Sequence, residues 1–253
     1  MNELQEYYEK IYTEHTRLFK SKAHSIEYLT TIHFLDKYLQ PKSRILDACA
    51  GTGAYAFYLA EKGHAVTACD LVQKHVDTMK ADTRTEKLAD IQICNALYMP
   101  AFEDDSFDVV LCMGALYHLM NADDRRKCVA ECLRVLKPGG IVAFAYLNRN
   151  GMYVADLALS RGDSQSRAQI LKTGRNSMFY GMNFGEVDEL FGGFSLEKIT
   201  NIGVNTLAYS HQAQINDFCD EDFSAFMRYH LATCQQPSII DHGAHGLWIG
   251  KKE

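Results

Sequence analysis

Apolar residues fall along this chain in short runs separated by stretches with helical spacing. Arg44–Ala48, Ala65–Cys69, Ile91–Cys94, Phe107–Met113 and Ile141–Leu147 read as five short strands, most of them apolar on successive rather than alternate residues. Between them, residues 54–62, 71–82 and 122–136 read as helices. In the last of these, Cys128, Val129, Cys132, Leu133 and Leu136 share one face. Gly63 and the run Pro138-Gly139-Gly140 mark stops. Strands alternating with helices describe parallel βαβ units. Parallel strands are covered on both faces, which removes the in–out alternation of a half-exposed sheet.

The ends of the chain are patterned differently. Residues 3–12 and 24–38 read as amphipathic helices, with Ser25 and Thr30 as polar breaks and Pro41 closing the segment. After residue 150 the rhythm is lost. Residues 150–180 are rich in Gly, Ser, Arg and Asn and show no clean period. Beyond them, Glu186–Phe191 reads as a short helix, Phe194–Val204 as a strand, 213–234 as a long helix and Gly246–Lys251 as a last strand. The 253 residues suit one large domain with no repeat or low-complexity tract.

Composition narrows the function. The formal net charge of -6 argues against a free-standing nucleic-acid binder, which carries a basic face. No apolar run approaches the roughly 20 residues needed to span a bilayer. The first twelve residues hold three Glu and no apolar stretch, so a secretory signal is not expected and a cytoplasmic protein is. The eight Cys are scattered and are expected to be reduced thiols. Cys49, Cys69, Cys94 and Cys112 fall near the ends of the first four strands. On four adjacent strands about 4.8 Å apart, the outer two lie roughly 14 Å from each other, too far for one zinc that holds sulfur at about 2.3 Å. They read as small buried side chains, and no metal is expected. His230, His242 and His245, with Cys219 and Cys234, fit no metal spacing either.

The chemistry concentrates in Ile45-Leu46-Asp47-Ala48-Cys49-Ala50-Gly51-Thr52-Gly53, a strand running into a glycine bend and then a helix. Glycine there lets a ligand touch backbone, and the helix N-terminus offers free N–H groups. Asp70 ends the next strand, about 4.8 Å away, where a carboxylate can accept from both hydroxyls of a ribose. Gly51 to Ala56 also fits the dinucleotide fingerprint G-x-G-x-x-[G/A]. Three features speak against that reading: an acid at Asp47 where a dinucleotide strand is apolar, Cys94-Asn95-Ala96 at the end of the third strand, and Leu136-Lys137-Pro138-Gly139-Gly140 before the fifth.

At this point the chain resembles the class I S-adenosylmethionine-dependent methyltransferases. The resemblance rests on ILDACAGTG, VTACD, CNALYMPAFEDDSFDVV, LCMGALYHL and ECLRVLKPGGIVAFAY, and covers residues 44–147. It implies an α/β doubly wound, mostly parallel seven-stranded sheet of order 3-2-1-4-5-7-6, with the last strand antiparallel. It implies S-adenosylmethionine as cofactor. Asp47 would orient the glycine loop and approach the methionine amino group. Ala48, Cys49, Gly51, Thr52 and Gly53 would face the methionine end, Asp70 the ribose, Leu71 the adenine face, and Asn95, Ala96 and Leu97 the adenine edge. Met113 and Gly114 would lie beside the sulfonium. Cys49 stands where the family often has Gly, and Asn95 where it often has Asp.

Residues 1–40 look similar to the helical lid of such enzymes, with Arg17 facing the cofactor carboxylate and Tyr12 or Tyr8 covering the ligand. Residues 41–147 would form the cofactor-binding core, 148–190 a substrate cover, and 191–253 the closing strands and helix. Tyr117 and His118, just past the fourth strand, are candidates for proton removal, His because it titrates near neutrality. The expected acceptor is a small molecule, with tRNA or protein as the alternative. An NAD-dependent oxidoreductase and a non-catalytic cofactor-binding protein are the rival classes.

Overall fold

In the computed structural model, which describes residues 3–10, 14 and 16–253, eight strands form one sheet. They are β1 (Arg44–Asp47), β2 (Ala65–Asp70), β3 (Asp90–Ile93), β4 (Phe107–Cys112), β5 (Leu136–Asn148), β6 (Gly181–Met182), β7 (Leu196–Gly203) and β8 (His245–Lys252). The order is β3-β2-β1-β4-β5-β8-β7, with the two-residue β6 paired to the end of β5. β8 runs antiparallel to both β5 and β7, and every other pair is parallel. Leaving β6 aside, this is the expected order, and β6 is the strand that sequence periodicity missed.

The strands are apolar throughout because both faces are covered. Along β4, Val109 and Leu111 enter a core with Ile45, Phe57, Val76 and Phe34. Val110 and Cys112 enter the opposite core, with Leu46, Cys128, Val129 and Phe191. The first face is covered by α2 (Lys22–Tyr38), α3 (Ala54–Glu61) and α4 (Gln73–Ala81), the second by α5 (Ala122–Val135) and α8 (Phe184–Gly192). Helix α5 starts where Asn121 accepts the Asp124 N–H at 2.7 Å, with Asp123 and Asp124 in its first turn and Arg134 in its last. Thr30, a polar break in the sequence of α2, is fully buried and bonded to His230 Nε2 at 2.9 Å.

Four expectations need correction. The stretch 150–180, read as lacking a clean period, holds most of one helix and all of another, α6 (Arg149–Ala158) and α7 (Ser164–Thr173). Only Gly151, Met152 and Ala155 along α6 and Ile170 along α7 are buried, so each helix presents a short apolar contact rather than a long stripe. Their starts are instead fixed by the side chains of Asn148 and Asp163, which accept backbone N–H groups. The long helix at 213–234 is two, α9 (Gln212–Asp217) and α10 (Asp220–Thr233), because Phe218 is non-helical and Cys219 caps a new start. β5 begins at Leu136 and crosses the Pro-Gly-Gly run with a register break opposite Phe107 and Val109. Finally, Cys69 and Cys94 are joined in a disulfide rather than being free thiols. They end adjacent parallel strands with their Cα atoms 5.6 Å apart, within bridging distance, although 25 residues separate them in sequence.

β1 and β4 are neighbours in space, and the chain leaves them toward opposite edges of the sheet. The crevice outside their carboxyl ends is where open α/β sheets bind ligands. Helix α1 (Glu3–Lys10) lies over that side: Glu9 accepts the Lys74 N–H at 3.0 Å and Gln5 donates to the Leu71 carbonyl at 3.3 Å.

Candidate active site

The glycine bend after β1 forms the floor of this crevice. Gly51 and Gly53 have φ of +54° and +87°, a region costly to residues with a Cβ. A Cβ at Gly53 would also meet the Phe57 ring at 2.7 Å. Asp70 crosses from β2 to the bend. Its Oδ2 accepts the Gly51 N–H at 2.8 Å and its Oδ1 the Val72 N–H at 2.9 Å, with His75 Nδ1 3.1 Å from Oδ1.

Beneath the bend, Asp47 is fully buried, and neither of its oxygens takes a hydrogen bond among the described residues. Burial first, then the charges of Asp70 and Cys112, push its carboxyl up to about 8; the Cys49 amide pulls weakly the other way without closing a hydrogen bond. A buried carboxyl with no partner keeps its proton, which is why its pKa stands far above the usual carboxylate range.

The crevice has a volume of about 270 Å³. It brings together Arg17, Ala48, Cys49, Gly51, Thr52, Asp70, Leu71, Asn95, Ala96, Leu97, Met113, Gly114, Tyr117 and His118 from the sequence expectations. Asp47 and Gly53 do not line it: Asp47 lies behind the bend, and Gly53 lets α3 start close to Phe57 and Met79. Tyr12 lies outside the described residues. Asn95 turns its side-chain oxygen to the Leu97 N–H at 3.0 Å and remains exposed. Residues that sequence reasoning missed also line the crevice: His75, Tyr55, Leu18 and Phe19. His75 carried a signal, since it lies one turn into the helix that follows Asp70.

The far end is aromatic. His118 Nδ1 lies 3.3 Å from the Met178 carbonyl, and a carbonyl only accepts, so Nδ1 carries the hydrogen. Nε2 is then the acceptor, and it faces the Tyr8 hydroxyl at 3.1 Å. Burial pushes the His118 imidazole down to about 4, against the pull of the Met178 carbonyl and the Asp70 charge. Tyr117 donates to the Met113 carbonyl at 3.2 Å, and burial raises its phenol well above the usual range, so it stays protonated. The Phe179 ring centroid is 5.1 Å from that of His118.

Arg17 is committed inside the protein. Its guanidinium bonds Glu27 in bidentate fashion at 2.9 and 3.0 Å, and Glu14 at 2.8 Å. Burial opposes ionisation of Glu27, yet Arg17 and His245 hold that carboxyl down at about 2. The fork expected to meet a ligand carboxylate is therefore engaged by Glu27, a polar position within α2.

Residues 46–144 match a family model described as Methyltransferase domain. A ubiquinone biosynthesis O-methyltransferase of Paracidovorax citrulli is 36% identical over 109 residues, 42% of this chain and 44% of that protein. The chain thus spans under half the length of this curated relative. A protein of Pyrococcus horikoshii superposes with a TM-score of 0.61 at 16% identity, covering 96% of this chain and all of that one. A SAM-dependent methyltransferase of Methanosarcina mazei gives 0.56 at 18%, covering 87% and 96%. At such identities the solved structures speak for the fold. No helix among the described residues is long and apolar enough to cross a membrane. The segment that matches the methyltransferase domain, residues 46–144, carries both the glycine bend and Asp70.

Proposed function

We propose that this protein transfers the methyl group of S-adenosylmethionine to an oxygen of a small hydroxylated molecule. The observation that carries this reading is the crevice end itself: a neutral imidazole acceptor, His118 Nε2, set among Tyr8, Tyr117 and Phe179 beside Gly114. The donor fits the other end. Asp70 offers a carboxyl group to its ribose hydroxyls and Gly51 offers close backbone, while Asp47, behind the bend, acts on its ammonium through its charge rather than by contact. The bound donor supplies a methyl group already activated on a positively charged sulfur.

The chain then has two tasks. Positioning a nucleophile in line can supply roughly 7–11 kcal/mol of barrier reduction. Removing the proton is the task of His118. His118 Nε2 would take up the acceptor's hydroxyl proton, displacing the Tyr8 hydroxyl from that nitrogen. An imidazole pushed down to about 4 is a weak base, so it would hold the acceptor hydroxyl as a hydrogen-bond donor rather than remove its proton beforehand. The segment 148–190 is the acceptor cover in this reading, supported by Met152, Ile170 and Phe179 packing with Tyr117 and by the Met178 carbonyl beside His118. The name of the Paracidovorax citrulli relative, an O-methyltransferase, supports an oxygen acceptor.

The test is to incubate the protein with methyl-labelled cofactor and cell extract separated into small-molecule, RNA and protein fractions. Label is expected in the small-molecule fraction. Label confined to RNA or protein would overturn the acceptor class.

A further inference from the structure

Six of the eight cysteines are free, and four of these meet at one place. Cys112 ends β4. Cys128 and Cys132, four residues apart on α5, share the face turned to the sheet. All three are fully buried, and their sulfurs lie within 4.8 Å of one another, Cys112 to Cys128 at 3.7 Å. Cys49, in the glycine bend, puts its sulfur 4.0 Å from that of Cys112.

We propose that Cys112, Cys128 and Cys132 form a binding site for one soft, thiophilic metal ion, with Cys49 as the fourth sulfur. Metal–sulfur bonds of about 2.3 Å place ligand sulfurs about 3.8–4.0 Å apart in tetrahedral or trigonal sites. The 3.7 Å between Cys112 and Cys128 and the 4.0 Å between Cys49 and Cys112 fall in or just beside this range; Cys132 lies within 4.8 Å of Cys112 and Cys128, and Cys49, outside that group of three, closes on the ion from the bend. A set made only of thiols selects ions such as zinc, cadmium or cuprous copper over magnesium or calcium, which take oxygen. Buried Cys often acts as a small apolar side chain, but packing does not require sulfurs to converge from a strand, a helix and a loop. The route in is through Cys49, which is half-buried and lines the crevice. On binding, each coordinating thiol loses its proton to solvent and its sulfur donates a lone pair to the ion; no electron is transferred. This site differs from the set Cys49, Cys69, Cys94 and Cys112 weighed on the sequence, from which the disulfide removes two members. It does not depend on the methyl-transfer reading.

The probe is cadmium, titrated anaerobically into the purified protein with its disulfide intact. The ultraviolet thiolate-to-cadmium band should saturate at one equivalent, in the native chain and in Cys219→Ser, which removes the exposed thiol. Cys128→Ser and Cys132→Ser should weaken binding more than about 100-fold, beyond the range typical of outer-shell changes. Because these substitutions could unfold the core, the native chain carries a second readout: the ¹¹³Cd resonance should lie in the all-sulfur region. A resonance typical of oxygen or nitrogen ligands, no stoichiometric binding by the native chain, or binding lost in Cys219→Ser instead, would each overturn the proposal.

Discussion

Asp70 Oδ2 accepts the Gly51 N–H at 2.8 Å, so the end of β2 is tied to the bend after β1 before any ligand arrives. The same carboxylate bonds the Val72 N–H at 2.9 Å, which leaves it oriented toward the crevice. Asp70→Ala removes the shaping contact and, in the proposed reading, the ribose acceptor as well. One hydrogen bond to a charged group contributes about 1.5–3 kcal/mol. Cofactor affinity measured by calorimetry is therefore expected to fall at least about tenfold, with the chain still folded.

Asp47 gives a proton-linked prediction. Its carboxyl, pushed up to about 8, is mostly protonated in the free protein at pH 7. A cationic ligand beside it favours the ionised form, so binding S-adenosylmethionine should release roughly one proton at pH 7 and almost none well above pH 8. The dependence of binding enthalpy on buffer ionisation enthalpy measures this directly, and Asp47→Asn should abolish it. The sign for stability follows from the raised value. In the free protein, the folded state holds the proton more tightly, so this group's contribution is complete below about 4 and is lost as pH rises toward 8.

His118→Ala should lower kcat by about 100-fold or more, the usual scale for a positioned base, while cofactor affinity changes little. His118 and His230 are both depressed to about 4 by burial. The unfolded chain then binds more protons between about 6.5 and 4, so both stabilise the fold at neutral pH, and that contribution is lost as pH falls through this window. Melting curves at pH 7 and 4.5 should show the drop, and a variant with both imidazoles replaced by Gln should show a smaller one.

Gly53→Ala meets two penalties: φ of +87° and a Cβ 2.7 Å from the Phe57 ring. The left-handed backbone alone costs about 1–2 kcal/mol. Urea unfolding should show a loss of at least that size, and cofactor binding should fall with it, because the bend and α3 shift together.

The parts of this molecule that are local in sequence could be read from it. Asp47, Gly51 and Asp70 lie within 24 positions on two successive strands, and the strands announce themselves by apolar runs. What could not be read depends on distant groups meeting in space. Glu27 takes the fork of Arg17 because α2 packs alongside residues 17–19, which periodicity does not reveal. Cys112, Cys128 and Cys132 converge only because α5 packs on β4. Helices α6 and α7 bury few apolar side chains, so their evidence lies in the caps at Asn148 and Asp163.

The most direct test of the account is methyl transfer itself. Methyl-labelled S-adenosylmethionine is offered with a panel of small phenols and catechols, and products are followed by chromatography and mass spectrometry. The predicted result is label in an aryl methyl ether, lost in Asp70→Ala and strongly reduced in His118→Ala. Tight cofactor binding with no label in any hydroxyl acceptor, or a crevice that takes up a nicotinamide dinucleotide in its place, would contradict it.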